Sequence, residues 1–562
     1  MSDTKTILDW ALHWEKASPD LLHFIQPLGG GAANVKTWSF AQAVGEARRI
    51  AAYLRGLNLP PKSRIAICSK NCAYWILADW AIWMAGHVSV PLYPNLNAST
   101  VRYILEHSES KLLFVGKLDP VWQEMQGGVP ASIQKIAFPL APPNDYDKWD
   151  ELVRQKEPLT DVVPRSPDEV ATIVYTSGST GQPKGAMLSF GAMAAATDGI
   201  IELLGLNQTD RILSYLPLAH TMERWIVGCG STRAAYQVFF AETVDSFLQD
   251  LRRARPTLFL SVPRLWLKFQ AGVFRKMPPK KLDRLLTIPI VGGIVKKKVL
   301  RGLGLDAVRF AGSGSAPIPG ELLAWYRRLG LELLEGYGMT ENFNYSHVTR
   351  PGQVRVGYVG SPYPGVECKL SDQGEILVKS PAAMMGYFKL PNETHDAFTP
   401  DGFFKTGDCG SVDELGRLQI TGRVKEIFKT SKGKYVAPAP IENVLINNPR
   451  VDQVCVSGAG QPQPYALVVL SEEARAEVSR GGKQAVENDL LEHMKSVNAG
   501  LESVEQLQFL SIVSEPWTPE NGLLTPSLKI KRGKIEEAYA GQVAVWYAQN
   551  RKVVWSESRA SR

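Results

Sequence analysis

An apolar run from Val170 to Val174 leads directly into Tyr175-Thr-Ser-Gly-Ser-Thr-Gly-Gln-Pro-Lys-Gly185, a loop of glycines and hydroxyls with one lysine. Its chemistry is that of a polyphosphate cradle. Gly178, Gly181 and Gly185 let backbone N–H groups turn toward an anion at little steric cost. Thr176, Ser177, Ser179 and Thr180 add hydroxyl donors, and Lys184 supplies a point charge. The loop departs from the common P-loop, where a Ser or Thr follows the lysine to reach a metal, because Gly185 follows Lys184 and the glycines are more closely spaced. The expected ligand is a nucleotide triphosphate or something close to one.

The surrounding pattern alternates strand and helix. Ser39 and Gln42 form a capping box ahead of an amphipathic run to Leu57. Arg64–Cys68 then reads as a strand, 73–85 as a helix and Val88–Leu92 as a further strand, which argues for an α/β sheet. The Pro- and charge-rich stretch 139–168 reads as a surface connection, and Ser189 as the cap of a helix carrying Ala192 to Leu206. At 562 residues the chain exceeds one ordinary core. The clearest boundary follows Gly422-Arg-Val-Lys425, giving domains 1–424 and 425–562. In the second, 441–446 and 484–497 read as helices, and 453–456 and 465–470 as strands, a small α+β unit.

Composition narrows the classes. The six cysteines are scattered without zinc or disulfide spacing, so buried free thiols are expected, and the eight histidines form no metal-binding pair. No uninterrupted apolar run of about 18 residues occurs, so no spanning helix is expected. Met1 to Ile7 lack a basic region followed by an apolar segment, so the expectation is a cytoplasmic protein without a cleaved secretory signal. A net charge of +7 suits polyanionic ligands or an anionic membrane surface. No basic segment is interleaved with stacking aromatics, so nucleic acid is not an expected partner.

Further motifs add to the phosphate loop. Leu331-Glu-Leu-Leu-Glu-Gly-Tyr-Gly-Met-Thr-Glu341 runs a strand into Gly336 and Gly338, which allow close approach to a flat ring, with Tyr337 available to stack on it. Thr340 and Glu341 are hard oxygen donors suited to Mg²⁺. Asp408, read as lying just after a strand in Phe404-Lys-Thr-Gly-Asp408, can accept ribose hydroxyls, and Arg423 can donate to the same sugar. Gly312-Ser-Gly-Ser315-Ala316-Pro317 is a small-residue turn that either walls an adenine slot or merely turns. Near the C-terminus, Lys529 lies in Gly522-Leu-Leu-Thr-Pro-Ser-Leu-Lys529.

These segments, in this order, resemble the acyl-adenylate-forming superfamily over nearly the whole chain. Leu216-Pro-Leu-Ala-His-Thr-Met-Glu-Arg224, Val262-Pro-Arg-Leu-Trp266, Asp401-Gly-Phe-Phe-Lys-Thr-Gly-Asp408 and Gly433-Lys-Tyr-Val-Ala-Pro438 are similar to the forms of its AMP-forming long-chain fatty acyl-CoA synthetases. The resemblance implies a large N-terminal domain of layered sheets and helices with a smaller, mobile α+β C-terminal domain. It implies ATP, CoA and a fatty acid as substrates, with Mg²⁺ held by Thr180 and Glu341. Lys529 would contact the carboxylate and α-phosphate, and Lys425 would be the hinge. His220 would border the acyl pocket, the other reading being a satisfied core histidine. Lys432 stands where many relatives have glycine, which loosens any carry-over of CoA contacts there. An aryl-CoA ligase, a β-lactone synthetase, an acyl-carrier loader and a nucleotide-binding homologue without turnover are the rival readings. The sequence fixes neither acyl chain length nor oligomeric state, because both depend on packing between distant segments.

One basic stretch stands apart. Residues 264–305 hold eleven basic side chains and one acidic, with apolar Thr287-Ile-Pro-Ile-Val-Gly-Gly-Ile-Val295 set before Lys296-Lys-Lys298. It reads either as a solvated helical insertion or as a peripheral contact with an anionic membrane.

Overall fold

The computed structural model describes residues 5–29, 34–176, 182–519, 521–525 and 529–556. Among these the chain forms two large sheets, two four-stranded sheets and a two-stranded ribbon. One large sheet has eight strands in the order Gly386–Tyr387, Lys184–Ser189, Val170–Thr176, Val88–Leu92, Arg64–Cys68, Leu112–Val115, Gln134–Ala137 and Asp147–Lys148. The other has nine and includes Leu22–Pro27, Arg211–Ser214, Phe310–Ser313 and Leu333–Tyr337. Parallel strands dominate both, so each needs helices on its faces to bury apolar surface.

The Ala73–Met84 helix fills the space between the two sheets. Every residue in it is buried, and it packs on strands of both. Such a helix has no polar face, and its one charge, Asp79, is met there by Arg224 at 2.8 Å. Ser89 takes a second bond from the same guanidinium nitrogen at 2.9 Å. The Phe40–Gly56 helix lies against it, started by the Ser39 and Gln42 capping box that the sequence specifies. Ser189 likewise caps the Phe190–Leu204 helix by accepting from the Ala192 N–H.

The stretch 139–168 is not merely a surface connection. It contains an edge strand, Asp147–Lys148, and a short helix, Trp149–Gln155, whose Trp149 is fully buried and donates to Glu46 at 2.6 Å. The Pro-rich flanks obscure that single anchor. All six cysteines are free, and five are buried as expected, while Cys368 is half-buried.

Buried apolar residues of the C-terminal part form clusters of their own. Those reaching from Ile7 to Leu418 share no member with those running from Phe428 to Val554. The C-terminal part is a four-stranded sheet, Val451–Ser457, Tyr465–Leu470, Leu510–Val513 and Val553–Trp555, covered by the Lys483–Ala499 and Arg532–Ala548 helices. The Pro438–Leu445 helix lies against the Leu418–Arg423 strand, and other contacts between the two parts are polar. Arg264 pairs with Asp452, Arg275 lies 3.9 Å from Glu473, and the Val424 N–H donates to the Gly407 carbonyl at 2.9 Å. No helix among the described residues is long and apolar enough to cross a membrane.

Removing one member of a buried ion pair strands the other charge, at a cost of about 3–5 kcal/mol. Asp79→Ala is therefore expected to lose stability on that scale in urea denaturation, while Asp79→Leu combined with Arg224→Met recovers most of it. A loss below about 1 kcal/mol for the single variant, as at an exposed pair, would contradict the layered placement of this helix.

Candidate active site

Strand pairing sets the first contact. Phe404–Val412 runs antiparallel to Leu418–Arg423 with Asp408 directly opposite Arg423. Asp408 thus lies within a strand and not just after one, as its Gly407 neighbour suggests from sequence. Arg423 Nε pairs with Asp408 Oδ1 at 2.9 Å, and the Tyr337 hydroxyl donates to Oδ2 at 2.7 Å. Asp408 is buried and Arg423 exposed, so the pair carries one held carboxylate and one reachable cation. Each carboxylate oxygen keeps a second lone pair for a ligand hydroxyl.

Tyr337 ends the Leu333–Tyr337 strand. Burial, then the charge of Asp408, pushes its phenol well above the usual tyrosine range, so it remains a donor. Gly338 is required by the protein's own backbone: a Cβ there would stand 2.4 Å from the Asn344 carbonyl oxygen. Gly336 meets no such crowding, its nearest neighbour being the His347 carbonyl at 3.8 Å. The exposed turn Ser315, Ala316 and Pro317 follows the Phe310–Ser313 strand, with Ser315 at a φ of +69°. A Cβ on Gly314 would lie 3.5 Å from the Gly336 carbonyl, so this turn runs beside the Gly336 backbone.

Thr176 and Lys184 are register partners at the ends of adjacent strands. The loop joining them contains Ser177, Gly178, Ser179, Thr180 and Gly181, which lie outside the described residues. Lys184 Nζ stands 5.2 Å from the centre of the Tyr387 ring, and the Tyr387 hydroxyl donates to Glu341 Oε1 at 2.8 Å. Burial and the Glu341 charge push that phenol up. Tyr387 therefore ties Lys184 to the Glu341 carboxylate of the Thr340–Asn342 turn. Sequence reading missed it, because only the pairing of Gly386–Tyr387 with Lys184–Ser189 brings it there.

Lys529 arrives from the other core. Its backbone closes a tight turn, with Thr525 N–H donating to the Lys529 carbonyl at 2.8 Å and Lys529 N–H donating to Thr525 Oγ1 at 3.1 Å. The side chain is wetted yet surrounded by protein, the situation of a group standing in a cleft. That surrounding protein, together with Arg423, holds its ammonium below the usual lysine range, while Asp408 and Glu341 pull it back up. Lys425 sits exposed in the turn after Arg423.

His220 caps the Thr221–Glu223 turn, its Nδ1 accepting from the Met222 N–H at 3.1 Å. Burial, then the charge of Lys529, pushes it down to about 4. It is neutral near pH 7, and the accepted bond assigns the proton to Nε2. Its loop is held by Asn71, which accepts from the Leu218 N–H at 3.0 Å and donates to Glu223 at 3.1 Å. His220 thus serves as a cap and also faces Lys529 electrostatically.

Three cations, Lys184, Arg423 and Lys529, and two carboxylates, Glu341 and Asp408, are linked through Tyr337, Tyr387 and their mutual fields. The surplus is positive, which suits a polyanion. Among the described residues no group of three His, Cys, Asp or Glu could hold a metal alone. Glu341 Oε2 makes no hydrogen bond among the described residues, leaving one hard oxygen, which fits Mg²⁺ carried mainly by phosphates.

Family models cover most of the chain. The AMP-binding enzyme model matches residues 13–388, and the AMP-binding enzyme C-terminal domain model matches 425–551. The chain belongs to the AMP-binding enzyme family. It is 31% identical to the long-chain-fatty-acid–CoA ligase FadD15 of Mycobacterium bovis, over 95% of each chain. It is 30% identical to the human long-chain-fatty-acid–CoA ligase 6, over 86% of this chain and 78% of that one. Its fold is that of o-succinylbenzoate coenzyme A synthetase from Bacillus subtilis, solved with AMP, at a TM-score of 0.73 and 23% identity, covering 94% of this chain and 98% of that one. The adenylation domain of a Mycobacterium chelonae carboxylate reductase superposes at a TM-score of 0.80 and 23% identity, covering 97% and 92%.

Glu335, also missed from sequence, is buried directly before Gly336 with one carboxyl oxygen unpartnered, and burial pushes it up to about 8. A carboxyl raised in the folded state contributes its full stability below the unfolded value near 4.5 and loses it as pH rises through about 8. Glu335→Gln should therefore match the parent's melting temperature at acid pH and exceed it at pH 8 to 9. Parallel pH profiles for the two proteins would contradict a neutral, buried Glu335.

Proposed function

We propose that the protein is an AMP-forming ligase that activates a long-chain fatty acid with ATP and transfers the acyl group to CoA. The observation that carries this reading is that Lys529, from the C-terminal core, stands within the electrostatic reach of Glu341, Asp408 and Arg423 of the N-terminal core. The similarity to long-chain-fatty-acid–CoA ligases over nearly the full chain favours a fatty acid as the substrate.

A free carboxylate does not acylate a thiol, since oxide is an impossible leaving group. In the first step a carboxylate oxygen attacks the α-phosphorus of ATP, the bond to the β-phosphate bridge breaks, and acyl-AMP and pyrophosphate form. Lys529 neutralises charge on the carboxylate and α-phosphate, and Lys184 with the Thr176 to Gly181 loop does so on the departing phosphates. Asp408 and Arg423 hold the ribose, Tyr337 with Gly336 and Gly338 receives the base, and Ser315, Ala316 and Pro317 close its far wall. Glu341 with Thr180 and the phosphates would hold Mg²⁺, which supplies charge neutralisation there. His220, neutral at pH 7, borders the acyl chain. In the second step the CoA thiol, losing its proton, attacks the acyl carbon and AMP leaves.

The two steps need different groups at one acyl carbon. We assign domains 1–424 and 425–562, with Lys425 as the hinge about which the second turns, withdrawing Lys529 and admitting CoA. The polar contacts between the two cores suit such a movement.

Lys529→Ala is expected to slow acyl-AMP formation by about 10²-fold or more, the scale of losing one charge-stabilising group, and to spare thioester formation from supplied acyl-AMP. Equal losses in both half-reactions would contradict the division of labour. Acids from short to very long, scored for AMP release with and without CoA, test the substrate: release should peak with long chains and depend on CoA. A peak with aromatic or short acids would overturn it.

A further inference from the structure

The Pro279–Thr287 and Val291–Leu303 helices pack together as a hairpin on the protein surface. Its inner side is anchored. Leu282 is fully buried, and Gly292 lets the helices close, since a Cβ there would stand 2.6 Å from the Leu286 carbonyl. The tip points the other way. Ile288 is 41% exposed, Ile290 84%, Val291 37% and Ile294 63%, a contiguous apolar patch turned into water. Ile290 also holds a φ of +68°, which a β-branched residue adopts only under strain. The chain thus spends conformational energy to present an isoleucine outward.

Charge surrounds this tip. Lys280, Lys281, Arg284, Lys297 and Lys298 are exposed and Lys296 is partly so, and among the described residues none of them pairs with a carboxylate. The one acidic side chain of the segment, Asp283, is bound by Arg328 at 2.8 Å. The apolar wedge is therefore ringed by positive charges that no carboxylate among the described residues pairs with.

We propose that this hairpin tip docks on an anionic lipid bilayer, with Ile288, Ile290, Val291 and Ile294 entering the headgroup boundary and the lysines contacting lipid phosphates. Four side chains on a narrow turn fall well short of the ~800 Å² per partner that a stable protein interface needs. A bilayer needs no matching shape, and long lysines reach its surface while their stems stay with the apolar tip. Unneutralised lysines next to exposed isoleucines are what an anionic surface, and not a neutral one, selects. The proposal stands independently of the reaction assigned above. Where that reading holds, docking places the enzyme at the phase in which a long-chain acid is concentrated.

Flotation of the full-length protein with phosphatidylcholine vesicles, with and without phosphatidylglycerol, tests it. The parent should float with the anionic vesicles at low salt, and raising salt should weaken binding about tenfold or more. Two variants separate the parts. Lys296→Glu with Lys297→Glu and Lys298→Glu should abolish flotation, and Ile290→Ser with Ile294→Ser should weaken it about tenfold at unchanged net charge. Circular dichroism should show both variants folded, since all five side chains lie at the surface. Flotation on neutral vesicles alone, none on either kind, or variants that float like the parent would each overturn the proposal. So would a parent dimer that Ile290→Ser with Ile294→Ser dissociates in the absence of vesicles, with no vesicle binding by either.

Discussion

An ammonium group that water still reaches, set in a cleft among other charges, is better satisfied once an anion arrives to meet it, and Lys529 is such a group. The surrounding protein and Arg423 disfavour its charge, and Asp408 and Glu341 return part of what is lost. Those carboxylates are themselves engaged, Asp408 by Arg423 and Tyr337 and Glu341 by Tyr387. The cleft is left with a positive surplus that a phosphate and a carboxylate would satisfy together. The other features follow from bringing that cation in on a separate core: polar contacts between the parts, and a turn at 423–426 as the covalent crossing.

Local chemistry made much of the fold legible. Ser39 with Gln42, and Ser189, are cap residues whose hydrogen bonds span three positions, and both start helices where the sequence places them. The strands Arg64–Cys68 and Val88–Leu92 carry apolar side chains toward both faces, as a parallel sheet covered on both sides requires. What stayed hidden was set at long range. Trp149 closes a core from within a Pro-rich stretch, and Asp79 is tolerable in an apolar helix only because Arg224 lies opposite it.

The candidate site divides in the same way. Lys184, Tyr337, Glu341, Asp408 and Arg423 lie in motifs whose residue types announce phosphate, sugar and metal chemistry, whereas Lys529 is picked out by family resemblance alone, and the fold sets it within electrostatic reach of Glu341, Asp408 and Arg423. Tyr387 and Glu335 lie in no such motif. Tyr387 reaches Glu341 across a two-residue edge strand, and Glu335 is altered by burial, which a linear sequence does not display. Asn71 and Glu223 likewise shape the His220 loop across long sequence separations. For Gly338 the structure adds a reason from the protein itself: the Asn344 backbone already excludes a side chain there.

The central claim is that a cation from the second core is present for one half of the reaction and absent for the other. The most direct measurement is the distance between probes at Lys268 and Glu472, exposed positions on the two cores, recorded first with a nonhydrolysable ATP analogue and then with acyl-AMP and a nonreactive CoA analogue. The account predicts a short distance in the first state and a clearly different one in the second. One unchanged distance in both would contradict it.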